Sequence, residues 1–348
     1  MAKMTAAIIG CGRIASVYRE AFLKLKEEVS VVLAVDKATE RAQNFAADFP
    51  GCEWSDQTDL SDLGQVLTRI KPDVVHILLP HHLHKEYANL AMECGCHVLT
   101  EKPIALTLED ADSMIQTAKS CGKKLGVIFQ NRYITGIQAA RKLLDSGKLG
   151  RVTGAFSNLN WYRPASYYDC DWKGYWATEG GGVVIDQAIH SIDLVRYLIQ
   201  ENAIEADGHY SCRVLHKSAP QVEVEDEADA AITFQNGAVY SFFATNYYTN
   251  NRPIQVEISC ENGSIHLDYQ TVTIEWANGQ KEVIVQKDCP DSSGKNYWGS
   301  CHYLQIKDFY QCLKTETFVP WDPTDAKKTL EIVLAIYQSS RENRPIKL

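Results

Sequence analysis

The sequence predicts two domains of different fold class: a doubly wound, parallel α/β sheet over residues 1–124, then an α+β domain with a large, open, mostly antiparallel sheet over residues 125–348. With 348 residues the chain is long for a single hydrophobic core, so two domains are expected. Strand and helix signals alternate up to about residue 124, which is typical of a parallel sheet covered by helices. Beyond residue 150, strand-like segments are separated by Asn-Gly pairs, which favour hairpins.

The elements of the first domain are predicted from its apolar runs and helix boundaries. Thr107-Leu-Glu-Asp110 resembles a capping box at a helix start, and Gly122 ends the same helix. In a doubly wound sheet, ligands bind at the carboxyl ends of the strands. The predicted strands are 4–10, 29–36, 52–55, 73–80 and 97–101, and the predicted helices lie near 13–27, 38–48, 60–70, 82–94 and 107–120.

In the second domain, strands outnumber helices. Residues 125–147 still alternate, with the run Val127–Arg132 followed by a helix to Leu144. Strands are predicted at 151–161 and in several segments between 208 and 286. The hairpin turns are predicted at Asn236-Gly237, Asn262-Gly263 and Asn278-Gly279, and the helices at 181–200, near 300–314 and near 324–341.

A glycine-rich turn joins the first strand to the first helix. The sequence Gly10-Cys-Gly12-Arg13-Ile14-Ala15 follows an apolar run. Gly10 permits a sharp turn, Gly12 lets a pyrophosphate approach the backbone, and Ala15 is small enough for the helix to pack on the strand. Phosphates would then face the N–H groups at the start of the helix. We therefore predict that Gly10, Gly12, Arg13 and Ile14 contact a dinucleotide.

Asp36 ends the second apolar run, Val29–Val35. In dinucleotide-binding Rossmann domains, an acidic residue about 20 residues after the glycine turn holds the adenosine ribose hydroxyls. NAD(H) is expected over NADP(H), because the carboxylate would repel a 2′-phosphate. Lys37 and Arg41 lie nearby in the sequence and leave NADP(H) possible. The alternative is that Asp36 only caps a helix.

Composition excludes several function classes. The net charge of −9 and the lack of a basic run argue against nucleic acid as the main partner. No apolar stretch reaches about 18 residues, so neither a membrane span nor a signal peptide is expected. The eleven cysteines include no Cys-x-x-Cys pair, which predicts free thiols in a reducing cytoplasm.

Two polar motifs follow predicted strands of the first domain. Three histidines occur in Pro80-His81-His82-Leu83-His84, but their spread around a turn is poor for joint metal ligation. We therefore expect no metal, and expect Pro80, His81 and His84 to contact the cofactor. The second motif is Glu101-Lys102-Pro103, in which the Lys102 ammonium is placed to donate to a substrate oxygen. The alternative is a solvated Glu-Lys pair.

A third motif opens the helix predicted at 181–200. Three glycines, 180–182, precede Asp186, His190 and Asp193. Spacings of four and three residues place these side chains on one helical face. A carboxylate one turn away can orient an imidazole and stabilise its charge when the ring acts as a base. The alternative is a histidine buried in the core.

Together these motifs resemble the glucose–fructose oxidoreductase / inositol dehydrogenase / rhizopine-catabolism family. The resemblance runs from residue 4 to the C-terminus and includes Tyr297-Trp-Gly-Ser300 and Leu330–Tyr337. It implies that Lys102, Asp186 and His190 form the catalytic trio, with Glu101 near the nicotinamide ribose. It also implies a homodimer or homotetramer formed through the antiparallel sheet.

The stretch from Trp161 to Trp176 is rich in aromatic residues with interleaved charges. Aromatic faces stack on pyranose rings while charged groups bind hydroxyls, which favours a sugar, glycoside, cyclitol or sugar nucleotide as substrate. The alternative is that this stretch packs on a neighbouring subunit. Alternative functions are a sugar-sensing regulator without catalysis and a dihydrodiol or biliverdin reductase. The predicted substrate contacts are Arg132, Tyr162, Arg163, Trp172, Lys173, Asp186 and His190.

Overall fold

The computed structural model describes residues 3–285, 301–315, 317 and 322–348. These residues divide into two compact units, one within Met1–Ile128 and His302–Lys327 and the other within Phe129–Cys301 and Lys328–Leu348. The division falls at 128/129, and a C-terminal segment groups with the first unit. The domain boundary predicted at 124/125 stays a prediction. The motif Tyr297–Ser300 lies outside the described residues.

The first unit contains a six-stranded parallel sheet. Its strands are β1 (Met4–Ile9), β2 (Val29–Val35), β3 (Glu53–Ser55), β4 (Val74–Ile77), β5 (His97–Thr100) and β6 (Leu125–Val127). They lie in the order β3-β2-β1-β4-β5-β6, which is the predicted doubly wound arrangement. The first helices of this unit are α1 (Ala15–Lys24), α2 (Thr39–Ala46), α3 (Leu60–Ile70), α4 (His84–Glu93) and α5 (Leu108–Ser120).

The second unit contains a nine-stranded sheet in which all neighbours are antiparallel except one parallel pair, between the strands at Val152–Asn160 and Val239–Thr245. In chain order the remaining elements are α6 (Thr135–Asp145), β7 (Val152–Asn160), α7 (Ile189–Ile199), β8 (Ala203–Ser211), α8 (Leu215–Ser218), β9 (Glu227–Phe234), β10 (Val239–Thr245), β11 (Gln255–Cys260), β12 (Gly263–Asp268), β13 (Thr271–Trp276), β14 (Lys281–Val285), α9 (His302–Thr315), α10 (Pro323–Glu342) and β15 (Ile346–Lys347). Helix α9 belongs to the first unit.

The two sheets bury their side chains differently. All four residues of β4 are buried, as expected for a strand covered on both faces. In β9 the buried positions alternate with more exposed ones, so one face of that strand packs on the core. Helix α5 is capped as the sequence suggests: the Thr107 hydroxyl accepts a hydrogen bond from the Asp110 N–H at 3.1 Å.

Two local predictions differ from the structure. The helix predicted over 181–200 is instead a π-helical turn, Val183–Ala188, followed by α7. The hairpin predicted around Asn262-Gly263 has Glu261 and Asn262 as its loop, and Gly263 opens β12. A side chain at Gly263 would overlap the carbonyl oxygen of Glu275 on the neighbouring strand, so glycine there serves close packing rather than a turn.

His76 on β4 is fully buried among aromatic rings. Its Nε2 lies 2.9 Å from the Tyr310 hydroxyl, and its ring meets Phe22 edge-on at 5.0 Å. Burial lowers the pKa of His76 to about 3, although the charge of Glu101 acts in the opposite direction. The ring is therefore neutral near pH 7.

This burial predicts a pH-dependent stability. An unfolded chain protonates His76 near its ordinary pKa of about 6.5, whereas the folded chain does not. The free energy of unfolding therefore falls as the pH decreases from about 6.5 towards 3, by up to about 1.4 kcal/mol per pH unit from this residue. Replacing His76 with Gln should flatten the dependence between pH 7.5 and pH 5, measured by urea unfolding.

The control is His82→Gln, which changes an exposed histidine of the same unit and should leave the pH dependence of unfolding as in the wild type. Equal pH profiles for His76→Gln and the wild type would contradict a neutral buried ring at this position.

Candidate active site

The glycine turn between β1 and α1 has the geometry that a dinucleotide requires. Gly10 has a φ of +97°, and a side chain there would lie 2.6 Å from the carbonyl oxygen of Leu78. At Gly12, by contrast, an added Cβ would meet no atom within 4 Å. Gly10 is thus required by the turn itself, while Gly12 leaves the open approach that a phosphate group needs.

Asp36 links the end of β2 to this turn. Its Oδ2 accepts a hydrogen bond from the Cys11 N–H at 2.8 Å, and its Oδ1 accepts one from the Ala38 N–H at 2.8 Å. A carboxylate can accept about four hydrogen bonds, so these two leave capacity for ribose hydroxyls. The turn and the carboxylate therefore fit an adenine dinucleotide.

Glu101 follows β5 and is buried. The Tyr18 hydroxyl donates to its Oε1 at 2.8 Å, and the Nε2 of His302 lies 3.4 Å from the same oxygen. Burial alone would raise the pKa of Glu101, but the contacts with His302, Lys102 and Tyr18 outweigh it and lower the pKa below its ordinary value. Glu101 is therefore a carboxylate, and the next residue, Lys102, is half-buried beside it.

The ring of His84 links the chain segments that follow β4 and β5. Its ring nitrogens lie 2.7 Å from the carbonyl oxygen of Pro103 and 2.9 Å from that of Leu79. These contacts support a positioning role for His84, next to the segment that carries Lys102. The direct cofactor contacts predicted for Pro80, His81 and His84 stay predictions.

In the second unit, several groups converge on the carboxylate of Asp186, which is buried in the π-helical turn. Its Oδ2 accepts hydrogen bonds from the Lys173 ammonium at 2.7 Å, the Tyr167 hydroxyl at 2.8 Å and the Gln187 amide at 2.6 Å. Lys173 is also buried, and its Nζ lies 4.3 Å from the centre of the Trp172 ring. A buried carboxylate is tolerable only with such partners, and here three donors meet at one carboxylate oxygen.

Glu179 completes this group as a second carboxylate on Lys173. Its Oε1 lies 3.0 Å from the ammonium, and its Oε2 accepts a hydrogen bond from the Gly174 N–H at 2.6 Å. Burial raises the pKa of Glu179, and the neighbouring charge of Asp186 adds to this, while Lys173 opposes it. Burial would lower the pKa of Lys173, but the charges of Asp186 and Glu179 raise it instead, so Lys173 is a cation.

His190 and Asp193 lie on α7, which continues the π-helical turn. The His190 ring is buried and meets Phe129 edge-on at 6.5 Å. The Asp193 carboxylate forms a buried, two-point ion pair with the Arg132 guanidinium, in which the Nε–Oδ2 distance is 2.7 Å. Asp193 and Arg132 therefore support the scaffold beside His190, and the predicted contact between Arg132 and substrate stays a prediction.

The aromatic stretch of residues 161–176 packs largely on its own unit. The guanidinium of Arg163 lies over the Trp161 ring at 4.7 Å and donates to the Asn251 side chain at 2.9 Å. Tyr168 is buried in an apolar cluster with Leu215. Tyr162, in contrast, is 47% exposed, so it retains an aromatic face for a ligand.

Sequence reasoning missed several of these partners. Tyr18, His302 and Glu179 carry no local signal, because each becomes relevant only through a contact made by the fold. Glu179 directly precedes the three glycines, which is the single hint the sequence offers. Within the described parts of the chain, no cluster of His, Cys, Asp or Glu side chains has the arrangement of a metal site. No helix among those residues is long and apolar enough to span a membrane.

Family models match both units. The model described as the oxidoreductase family, NAD-binding Rossmann fold, matches residues 4–129, and the model of the GFO/IDH/MocA C-terminal domain matches residues 137–266. Together they account for more than half of the chain. The chain belongs to the GFO/IDH/MocA oxidoreductase family.

Full-length relatives in the GFO/IDH/MocA family share about a quarter of their residues with this chain. It is 26% identical to the D-glucoside 3-dehydrogenase of Escherichia coli (strain K12), over 98% of this chain and 97% of that protein. It is also 26% identical to the scyllo-inositol 2-dehydrogenase (NAD(+)) of Bacillus subtilis (strain 168), over 98% of this chain and 95% of that protein. The WlbA dehydrogenase from Bordetella pertussis, solved with NADH and UDP-GlcNAcA, superposes with a TM-score of 0.83 at 26% identity, covering 100% of this chain and 99% of that one.

Membership of the GFO/IDH/MocA family confirms three predictions. The fold class is a parallel Rossmann sheet followed by a mostly antiparallel sheet. The chain is an enzyme, an oxidoreductase. Its first unit is an NAD-binding domain, in agreement with the fit of the glycine turn and Asp36.

Proposed function

We propose that this chain transfers a hydride between NAD(H) and a secondary alcohol or ketone of a sugar, glycoside, cyclitol or sugar nucleotide. The observation that supports it most is the buried Asp186 carboxylate, which is held by hydrogen bonds from Lys173, Tyr167 and Gln187. Buried titratable groups held in a fixed position are typical of acid–base sites. The relatives described above are named for their action on D-glucosides and scyllo-inositol, which are polyols of this class.

In the proposed oxidation, His190 takes the proton of the substrate hydroxyl, and Lys102 donates a hydrogen bond to the same oxygen. The carbon–hydrogen bond breaks with both electrons, the carbonyl forms, and one proton remains on His190. Bound NAD supplies the hydride acceptor. Asp186 stabilises the positive charge that develops at the base. Reduction follows the same path backwards.

For the substrate we propose contacts at Tyr162, Arg163, Trp172 and Lys173, in addition to the acid–base residues. Tyr162 offers an exposed aromatic face, and Arg163 a cation beside it. Lys173 forms ion pairs with Asp186 and Glu179. We therefore assign it two roles: it holds the Asp186 carboxylate in place, and it contacts the substrate at the rim of the site.

We also propose that the chain forms a homo-oligomer through the outer face of its nine-stranded sheet. Four apolar side chains on that face are exposed by 43–61%: Phe156, Val239, Val283 and Val285. By register they lie on the face opposite the buried residues of β10 and β13. Exposed apolar side chains in such numbers favour an interface.

The catalytic roles predict large losses of turnover. With a substrate found by screening NAD reduction over D-glucosides, cyclitols and sugar nucleotides, His190→Ala and Lys102→Ala should each lower kcat roughly 10²-fold or more. Binding of NADH, followed by fluorescence titration, should survive, more securely for His190→Ala.

Lys119→Ala removes an exposed charge on α5 and should retain wild-type kcat. Near-full turnover in His190→Ala would make that residue part of the core and leave Lys102 as the base. In that case Lys102→Ala alone should abolish the reaction.

The position of Asp36 predicts NAD over NADP. Wild-type kcat/KM should be higher with NAD, because the carboxylate repels a 2′-phosphate. Asp36→Asn keeps an oxygen that can accept from the Cys11 N–H but removes the charge. In Asp36→Asn the ratio of kcat/KM with NAD to kcat/KM with NADP should fall roughly tenfold or more, and a tenfold change is equivalent to about 1.4 kcal/mol. A higher kcat/KM with NADP in the wild type, or an unchanged ratio in Asp36→Asn, would refute this role.

A further inference from the structure

A second buried carboxylate, Glu225, holds the start of the helical segment that carries Asp186 and His190. Its Oε2 accepts a hydrogen bond from the Gly182 N–H at 2.8 Å, and its Oε1 accepts one from the Val184 N–H at 3.0 Å. The first amides of a helix have no partners within the helix itself. Glu225 therefore does here what a capping side chain does, from a distant point in the sequence.

Tyr337 on α10 extends this cap. Its hydroxyl donates to the Glu225 carboxylate at 2.8 Å and accepts a hydrogen bond from the Ile185 N–H at 3.2 Å. The Val183 N–H donates to the backbone oxygen of Glu225 at 3.2 Å. Four consecutive amides, 182–185, are thus bound by two residues.

The three glycines that precede the turn make room for this cap. A side chain at Gly181 would overlap the Tyr337 hydroxyl, and one at Gly182 would overlap the carbonyl oxygen of Glu225. Glycine runs often let a backbone approach a phosphate, but two of these three are occupied by close contacts within the protein. The motif thus has a structural cause.

The pKa of the Glu225 carboxylate depends on its burial. Glu225 is 1% exposed, and burial raises its pKa to about 7, while hydrogen bonds from the Val184 and Gly182 N–H groups and from Tyr337 oppose the increase. A carboxylate can accept hydrogen bonds from all of these donors at once. A glutamine side chain at this position would instead direct its own N–H groups at one of these donors, and that hydrogen bond would be lost.

We propose that Glu225 and Tyr337 are positioning residues for the reaction: they fix the π-helical turn and thereby the Asp186 carboxylate and the His190 ring that follows it. This inference rests on the proposed function, since it assigns a purpose to the placement of those two side chains. Neither residue is proposed to touch the substrate.

The test measures turnover by variants of the full chain on the substrate found by screening. Glu225→Gln should lower kcat, per folded molecule, roughly 10-fold or more, because a small displacement of an acid–base group is costly. Tyr337→Phe removes one hydroxyl and should act in the same direction with a smaller effect. The dissociation constant of NADH should stay within about twofold of wild type, since the glycine turn belongs to the other unit.

Asp226→Asn is the matched control. Its carboxylate is also buried and accepts hydrogen bonds at 2.8 Å from the N–H groups of Arg213, Val214 and Leu215. That variant should lose stability but keep wild-type kcat. An equal fall in kcat in Asp226→Asn and Glu225→Gln would mean that any buried carboxylate of this segment matters, and would overturn the proposal. If Glu225→Gln does not fold, Tyr337→Phe decides: an unchanged kcat overturns it.

Asp186→Asn separates this inference from the function on which it rests. If the wild type oxidises none of the screened glucosides, cyclitols and sugar nucleotides, the proposed function is wrong. If Asp186→Asn retains turnover, the role proposed for Asp186 in the reaction is wrong, whatever Glu225 does. If Asp186→Asn loses turnover and Glu225→Gln does not, only the positioning role is wrong. If both lose it, the double variant should fall little below Asp186→Asn alone, because the two changes act on one group.

Discussion

The burial of negative charge in the second unit is the constraint on which its arrangement depends. Asp186 and Glu179 are both almost inaccessible to water, and Lys173 lies between them. Desolvating an ion costs several kcal/mol unless charges and hydrogen bonds compensate, and removing one partner of such a group leaves an uncompensated charge. The cluster thus specifies where each side chain must lie, and the aromatic rings around Lys173 keep water out.

The first unit solves a related problem at the ends of its strands. Asp36 after β2 and Glu101 after β5 are buried carboxylates held by hydrogen bonds, the first from backbone amides and the second from Tyr18 with His302 close by. The carboxyl ends of parallel strands lie along one edge of the sheet, where ligands bind in this fold. Fixed charges at that edge, beside an open glycine turn, are what an NAD-binding domain offers its cofactor.

Much of the fold follows from local sequence, and much of the site does not. The apolar runs, the glycine turn and Asp36 predict the parallel sheet because their chemistry is local. The π-helical turn was missed because a helical pattern in the sequence looks the same whether the amides bond four or five residues back. Glu225 and Tyr337 bind the amides of residues 182–185 at the start of this turn, and the spacing of residues in the sequence does not predict those contacts.

Dependence on the fold also explains why individual roles stay predictions. Arg132 is predicted to contact the substrate, and the structure adds that it is paired with Asp193. Lys173 was predicted at the substrate, and the structure adds that it is held by Asp186 and Glu179. Pairings of this kind depend on residues far apart in the chain, so they emerge only once the backbone is fixed.

The most direct test of the proposed hydride transfer is whether deuterium on the carbons of the substrate moves to the cofactor. The wild-type protein would be incubated with NAD⁺ and fully carbon-deuterated glucosides, inositols and sugar nucleotides, and the cofactor analysed by mass spectrometry. The account predicts reduced cofactor carrying one deuterium from at least one of these substrates, with the corresponding keto product. Reduced cofactor without deuterium, or no reduction with any member of the panel, would contradict hydride transfer from a secondary alcohol of this class.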